Sequence, residues 1–159
     1  VDAWNRWREQ NPTMIPDISS TDLSNADLSG INLLFTKLRF VNCSHADLSH
    51  ADIRGTDLNG VILHSTDLSH ASLVGSGLSG ADFHLTKLNG ACLGSVNAVG
   101  ANLSMLDLSN ANLINANLFS ANLSGANLSR ANLSGTYLNV DLSNANLSGA
   151  DLSRASLCG

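Results

Sequence analysis

The chain has 159 residues, of which 43% are hydrophobic and only 13% charged, with a formal net charge of −5. That length suits one domain, the acidic balance argues against direct nucleic-acid binding, and no apolar run approaches the roughly 18 residues of a membrane-spanning helix. Three cysteines far apart, Cys43, Cys92 and Cys158, give neither a disulfide framework nor a CxxC metal site; reduced thiols in a cytoplasmic protein are the default expectation.

In chain order, the first segment is polar and charged, VDAWNRWREQ, with no apolar stretch of a leader behind it. Asp2 is placed to cap a short helix that runs to Gln10 and stops at Asn11-Pro12. Trp4 and Trp7 then share one helical face. They are either a ligand-stacking pair or a hydrophobic plug, and the plug is the expected role.

From Asp17 on, an apolar centre recurs every fifth residue: Ile18, Leu23, Leu28, Leu33 and so to Leu138. One residue is then missing, and the series resumes at Leu142. The centre is Leu in 24 of 29 quintets; Ile18, Cys43, Ile53, Phe83 and Ala98 are the exceptions. Two residues earlier stands Ala in 15 quintets and Thr in 6, and one residue earlier stands Asp or Asn in 21. A period of five drifts around a helix and alternates across a flat strand, so neither explains it. A chain that bends once per quintet does: centres and small residues point inward, the other side chains outward. Ser, Asn and Gly near each bend suit the backbone angles a turn needs.

Units such as AlaAsnLeuSerGly at 121–125 and 131–135 resemble the signature of the pentapeptide-repeat family, and the likeness extends over residues 16–159. The lead-in TrpAsnArgTrpArg is similar to the N-termini of many cyanobacterial members. The resemblance implies an all-β fold, a right-handed quadrilateral parallel β-helix of about seven coils, with residues 1–15 as capping helix and lead-in and 16–159 as the repeat solenoid. Four quintets per coil stack residue i on i+20, about 4.8 Å apart. The helix then plugs the first coil. Nothing similar covers the far end, Leu157-Cys158-Gly159, where end-to-end self-association is an expectation; this departs from the gyrase-protecting members, which end in a helical dimerisation element.

Stacking at i+20 sorts the side chains into columns. Inside, Leu28, Leu48, Leu68 and Leu108 form one core ladder. Phe83 is larger than Leu and Ala98 smaller, and we expect Ala98 to make room for that ring. Outside, one column reads Asp27, Asp47, Asp67, Lys87, Asp107, Asn127, and another Asp17, Lys37, Asp57. Each such Lys sits between two acids, which fits a solvated face with repulsion relieved better than a surface imitating DNA phosphates. Beyond residue 97 the position turns largely to Asn, which can stack as a neutral ladder. His64 and His84 share a column, as do His50 and His70; exposed polar fillers are expected there rather than a metal site. Another outward column reads Leu34, Arg54, Val74, Gly94, Ile114, with Phe35 adjacent to Leu34; its aliphatic members read equally as a contact surface or as scattered apolar residues.

AsnLeuSer sequons arise from the repeat itself, and no phosphate loop, HExxH or nucleophile elbow occurs. The sequence therefore points to no enzyme and no cofactor. It points to a scaffold presenting a rigid face to another protein. The alternative is a DNA mimic that binds a type II topoisomerase, DNA gyrase, as the gyrase-protecting members do.

Overall fold

The computed structural model describes residues 1–156; the expected bare end at Leu157–Gly159 lies outside them. Its one helix, α1, spans Asp2–Gln10. Val1 is the N-cap and no side chain caps the helix, so Asp2 is its first residue rather than its cap. There the carboxylate still lies at the positive end of the helix dipole.

The remainder is a tube built of single-residue rungs instead of long strands. Parallel bridges join Asp17 to Lys37, Lys37 to Asp57, Asp57 to Gly77 and onward to Tyr137. Three parallel series start at Asp22, Asp27 and Asn32. These are the four faces, numbered one to four in that order. Each outward residue bonds the two residues that flank its partner in the preceding coil: Asp47 N–H donates to Ala26 O at 2.9 Å, and Asp47 O accepts from Leu28 N–H at 2.8 Å.

The corners follow from local chemistry. The residue after each turn donates back across it, as Ala46 N–H does to Cys43 O at 3.0 Å. The third residue of that turn, His45, has φ +61°, the left-handed region a type II turn requires. The Asp or Asn at each outward position fixes the segment that follows. Asp47 Oδ1 accepts the Ser49 N–H at 2.9 Å and Asn122 Oδ1 accepts that of Ser124 at 2.9 Å. This is the Asx arrangement, and it explains why the position tolerates either residue: only the carbonyl-like oxygen is used.

Inside, the Leu and Ala centres are almost fully buried, and Phe83 is the largest fully buried side chain. Leu28 is only partly buried, in the first coil, whereas Leu48, Leu68 and Leu108 are fully inside. Cys43 fills a centre, and burial, with Asp22 nearby, pushes its thiol up to about 12, which leaves it protonated and unreactive. Buried hydroxyls span neighbouring coils: Thr66 Oγ1 donates to Cys43 O at 2.7 Å, and Thr86 Oγ1 to Leu63 O at 2.7 Å. Thr36 occupies an equivalent position in the second coil, and its buried Oγ1 has no partner. The residue 23 positions earlier falls in the lead-in, where no coil stands to accept.

Two irregularities interrupt the pattern. Lys87 and Asp107 are each bridged on their other side, yet among the described residues no bridge joins them. Here Leu106, buried to 5% exposure, stands where Ala or Thr is usual, one coil above the level of Phe83. Extra bulk on the inside wall separates the two coils locally. Ala98, 2% exposed, is the small centre on the adjoining face. The second irregularity is the missing residue. From Asp141 on, the bridge interval falls to 19, as in Asn122 to Asp141. The corner at Val140 is a simple bend with no left-handed residue.

Candidate interaction surface

The N-terminal end shows how the helix is fastened. The first coil has no coil before it, so Asn32 N–H, Asn32 O and Leu34 O have no preceding rung to bond, although the N–H groups of Gly30, Ile31 and Leu33 are paired. Trp4 Nε1 donates to Asn32 O at 2.6 Å. Asn5 acts twice, its Oδ1 accepting Asn32 N–H at 2.8 Å and its Nδ2 donating to Gly30 O at 3.0 Å. Arg8, 4% exposed, donates to Met14 O and Leu34 O, both at 2.7 Å. Trp4 packs on the core, with Trp7 against it at 5.6 Å between ring centres, but Asn5 and Arg8 complete the cap. The missed signal was a helix whose face at i+1 and i+4 from Trp4 carries donors and an acceptor suited to bare backbone. The helix covers one side only. An apolar opening of about 340 Å³ remains, lined by Val1, Trp4, Ile18, Thr21, Leu23, Leu28, Ile31 and Leu33.

On the third face Asp27, Asp47 and Asp67 lie on successive rungs. Lys87 Nζ pairs with Asp67 Oδ2 at 2.9 Å. Asp67 is raised by burial, but hydrogen bonds from Lys87, Ser69 and the Ser69 backbone, with the Lys87 charge, together bring it down to about 2. Asp27 also lies below the usual carboxylate range, held there by the backbone and hydroxyl of Ser29. Asn127 Nδ2 donates to Asp107 Oδ1 at 3.0 Å and Asn146 Nδ2 to Asn127 Oδ1 at 3.2 Å. The column is therefore acidic at one end and an amide ladder at the other. On the first face the pairs are looser: Lys37–Asp17 and Arg39–Asp57 both stand at 3.6 Å.

The histidines stack as spaced, with ring centres 5.0 Å apart for His64–His84 and 5.2 Å for His50–His70. His45 joins His64 edge-on at 5.6 Å, a contact between neighbouring columns that spacing at 20 does not reveal. Among the described residues no group of three His, Cys, Asp or Glu is arranged to hold a metal.

The apolar surface is distributed differently from the aliphatic column. Val74 is exposed, but Leu34 and Ile114 are half-buried. The large exposed apolar side chains stand mainly at corners: Phe35, Phe40, Leu85 and Met105, at 56%, 62%, 64% and 82% exposure. All four have φ between +56° and +62°. Their neighbours in the next coil explain how three of them fit, Met105 lying against Gly125 as Phe35 and Phe40 lie against Gly55 and Gly60. A Cβ on Gly60 would meet the Phe40 ring at 2.6 Å, and one on Gly55 would run into Phe35. Both rings turn an edge toward the glycine above. Phe119 and Tyr137, exposed at 49% and 61%, add an aromatic group at the other end of the first face.

The family described as pentapeptide repeats matches in 8 copies, over residues 17–55, 26–64, 42–76, 66–104, 99–135 and 138–159. Solved structures with the same repeat include a pentapeptide repeat protein from Nostoc Pcc 7120, at 26% identity and TM-score 0.54, covering 67% of this chain and 79% of that one. The fluoroquinolone resistance protein QnrB1, plasmid-mediated, in a trypsin-treated R167E form, is similar at 21% identity and TM-score 0.63, over 90% of this chain and 82% of that one. HetL, described as involved in heterocyst differentiation regulation in the cyanobacterium Nostoc sp. strain PCC 7120, is 27% identical over 96% of this chain and 93% of its own, with TM-score 0.37. No curated protein matches in sequence. With its repeats matched almost from end to end and the same bend every five residues, this chain belongs to the pentapeptide-repeat family, whose members fold as right-handed quadrilateral β-helices.

Proposed function

We propose that this chain is a non-catalytic interaction module that presents the side faces of its tube to another protein. The observation that carries this reading is the placement of Phe35, Phe40, Leu85 and Met105. Each stands at a left-handed corner, where a side chain other than Gly or Asn costs about 1–2 kcal/mol. Each also leaves most of its apolar surface in water. Gly or Asn occupies 14 of the 27 left-handed corners among the described residues, so the fold has cheaper solutions, and a binding role accounts for keeping the large apolar ones.

Replacing all four by Asn tests it. The variant is expected to melt at or above the temperature of the parent and to lose the protein that cross-links to the parent in extracts. A clear drop in melting temperature would make these side chains structural and sink the reading.

The DNA-mimic alternative draws support from Asp27, Asp47 and Asp67 on successive rungs. Two features weaken it: Lys87 pairs with Asp67 at the end of the run, and the carboxylates serve local turns. Inhibition of gyrase supercoiling at micromolar protein would favour it, and its absence would dismiss it.

A further inference from the structure

We infer that the first face is a self-docking surface whose partner is a second copy of this chain, laid antiparallel across it. This rests on reading the chain as an interaction module and names the partner of one face. The first face carries exposed aromatics at both ends, Phe40 near one and Phe119 with Tyr137 near the other. At the middle of the face stand Gly77, Ser79 and Gly80, so a second backbone can approach closely there.

The register decides how two copies would meet. The outward column runs Asp17, Lys37, Asp57, Gly77, Asn97, Asn117, Tyr137, and Gly77 is its middle rung. A two-fold axis lying in the plane of the face, across the tube at Gly77 and Ser79, reverses the rungs and sets each column against itself. A two-fold contact must satisfy every pair twice, and this one does. Asp17 meets Tyr137 and can accept its hydroxyl proton. Asp57 meets Asn97 and can accept its amide. Arg39, whose Cζ already lies 5.7 Å over the Phe40 ring, meets Phe119 and becomes a cation between two aromatic faces. No charge faces its own sign.

The same operation brings like charges together on the second and third faces; on the fourth it sets Cys92 on itself and Val74 against Ile114 without such a clash, but the outward rungs there carry no aromatic residue. On the third face the middle rung is Lys87, which would meet itself, and Asp67 would meet Asp107. On the second face Asp82 would meet itself. A two-fold axis running along the tube also fails on the first face, since it sets Lys37 against Arg39. Only the antiparallel arrangement on the first face combines aromatic ends, close approach and charge balance among these.

Seven rungs at about 4.8 Å and a flat width of about 10 Å cover on the order of 350 Å² per copy. The total, roughly 700 Å², falls short of the ~1,200 Å² of stable complexes, so the dimer is weak and concentration-dependent. Sedimentation equilibrium from about 10 µM to about 1 mM is expected to show a monomer giving way to a dimer. Ser79 lies at the axis, so Ser79→Arg and Ser79→Asp should each be monomeric throughout, with unchanged melting temperatures, while their equimolar mixture should associate at least tenfold more tightly than the parent. Ser129→Arg, on the third face, should leave association unchanged. A parent chain monomeric to about 1 mM, a Ser79→Arg variant that still dimerises, or a mixture that stays monomeric would overturn the self-docking inference. The wider interaction reading would survive that result with a different protein on the face, because it falls only if the four-Asn variant loses stability.

Discussion

The coils around Asp47 and those around Asn122 use one backbone scheme with different surfaces. Asp47 and Asn122 each accept the N–H two residues on at 2.9 Å, and each is bridged to both neighbouring coils. The acidic stretch adds ion pairs, stacked imidazoles and bulky corners; the amide stretch has nearly uniform Ala-Asn-Leu-Ser units. The backbone architecture is thus indifferent to the charge at the outward position. What differs between the two regions is how the end is closed, how evenly the wall is filled and what the surface offers to a partner.

The end should be the most sensitive. Arg8 is buried and pairs with no acid among the described residues, and its guanidinium bonds Met14 O and Leu34 O. Hydrogen bonds to charged groups contribute roughly 1.5–3 kcal/mol each, so Arg8→Ala is expected to cost about 3 kcal/mol and release α1. Hydrogen exchange should then rise in residues 2–16 and 30–34 while the protection of residues 111–135 stays unchanged. Equal loss in both regions would mean that the tube melts as one unit and that the end is not separable from the interior.

Wall filling comes next. Phe83 and Leu106 enlarge the wall where the bridge between Lys87 and Asp107 is absent, and Ala98 is the small centre beside them. Ala98→Leu should overpack this level and cost ~1–3 kcal/mol in a denaturant melt. The opposite change in the uniform stretch, Leu118→Ala, should cost ~2–5 kcal/mol by opening a cavity. If Ala98→Leu is neutral, Ala98 is not the compensation for Phe83 and the two irregular centres are unrelated.

Much of this was legible in the residues. The period of five placed every centre inside, and the interval of 20 gave the columns, because bridge partners depend only on counting. The missing residue after Leu138 appears as the change of interval to 19. What counting does not carry is contact between columns. His45 reaches His64 across a corner, and Phe40 lies on Gly60 because the backbone turns there. The cap was also half hidden. The two Trp residues announce an apolar plug, but the need for Asn5 and Arg8 appears only once Asn32 and Leu34 are seen with no preceding rung to bond. Of the exposed corners only Phe35 stood out in the sequence; Phe40, Leu85 and Met105 escaped, because a large apolar residue at the fifth position reads as variation until its positive φ shows that it stands at a strained turn.

Charge should give the smallest effect and the sharpest contrast. Asp22 and Asp27 both lie below the usual carboxylate range, held down first by the backbone N–H and then by the hydroxyl of Ser24 and Ser29 respectively. A carboxylate lowered by folding stabilises the protein above its unfolded value of 3.8, and that stabilisation is lost as pH falls through the folded value. The parent melting temperature should therefore decline as the pH drops below about 4. Asn keeps the accepting oxygen and does not titrate, so the double variant Asp22→Asn, Asp27→Asn should match the parent at pH 7 and decline less in acid. Asn122→Asp should do the reverse, bringing to the amide stretch an acid sensitivity it lacks. Parallel melting curves for all three chains would mean that the turn oxygen is equally satisfied by the protonated acid, and that the difference between the two stretches matters only to what binds them.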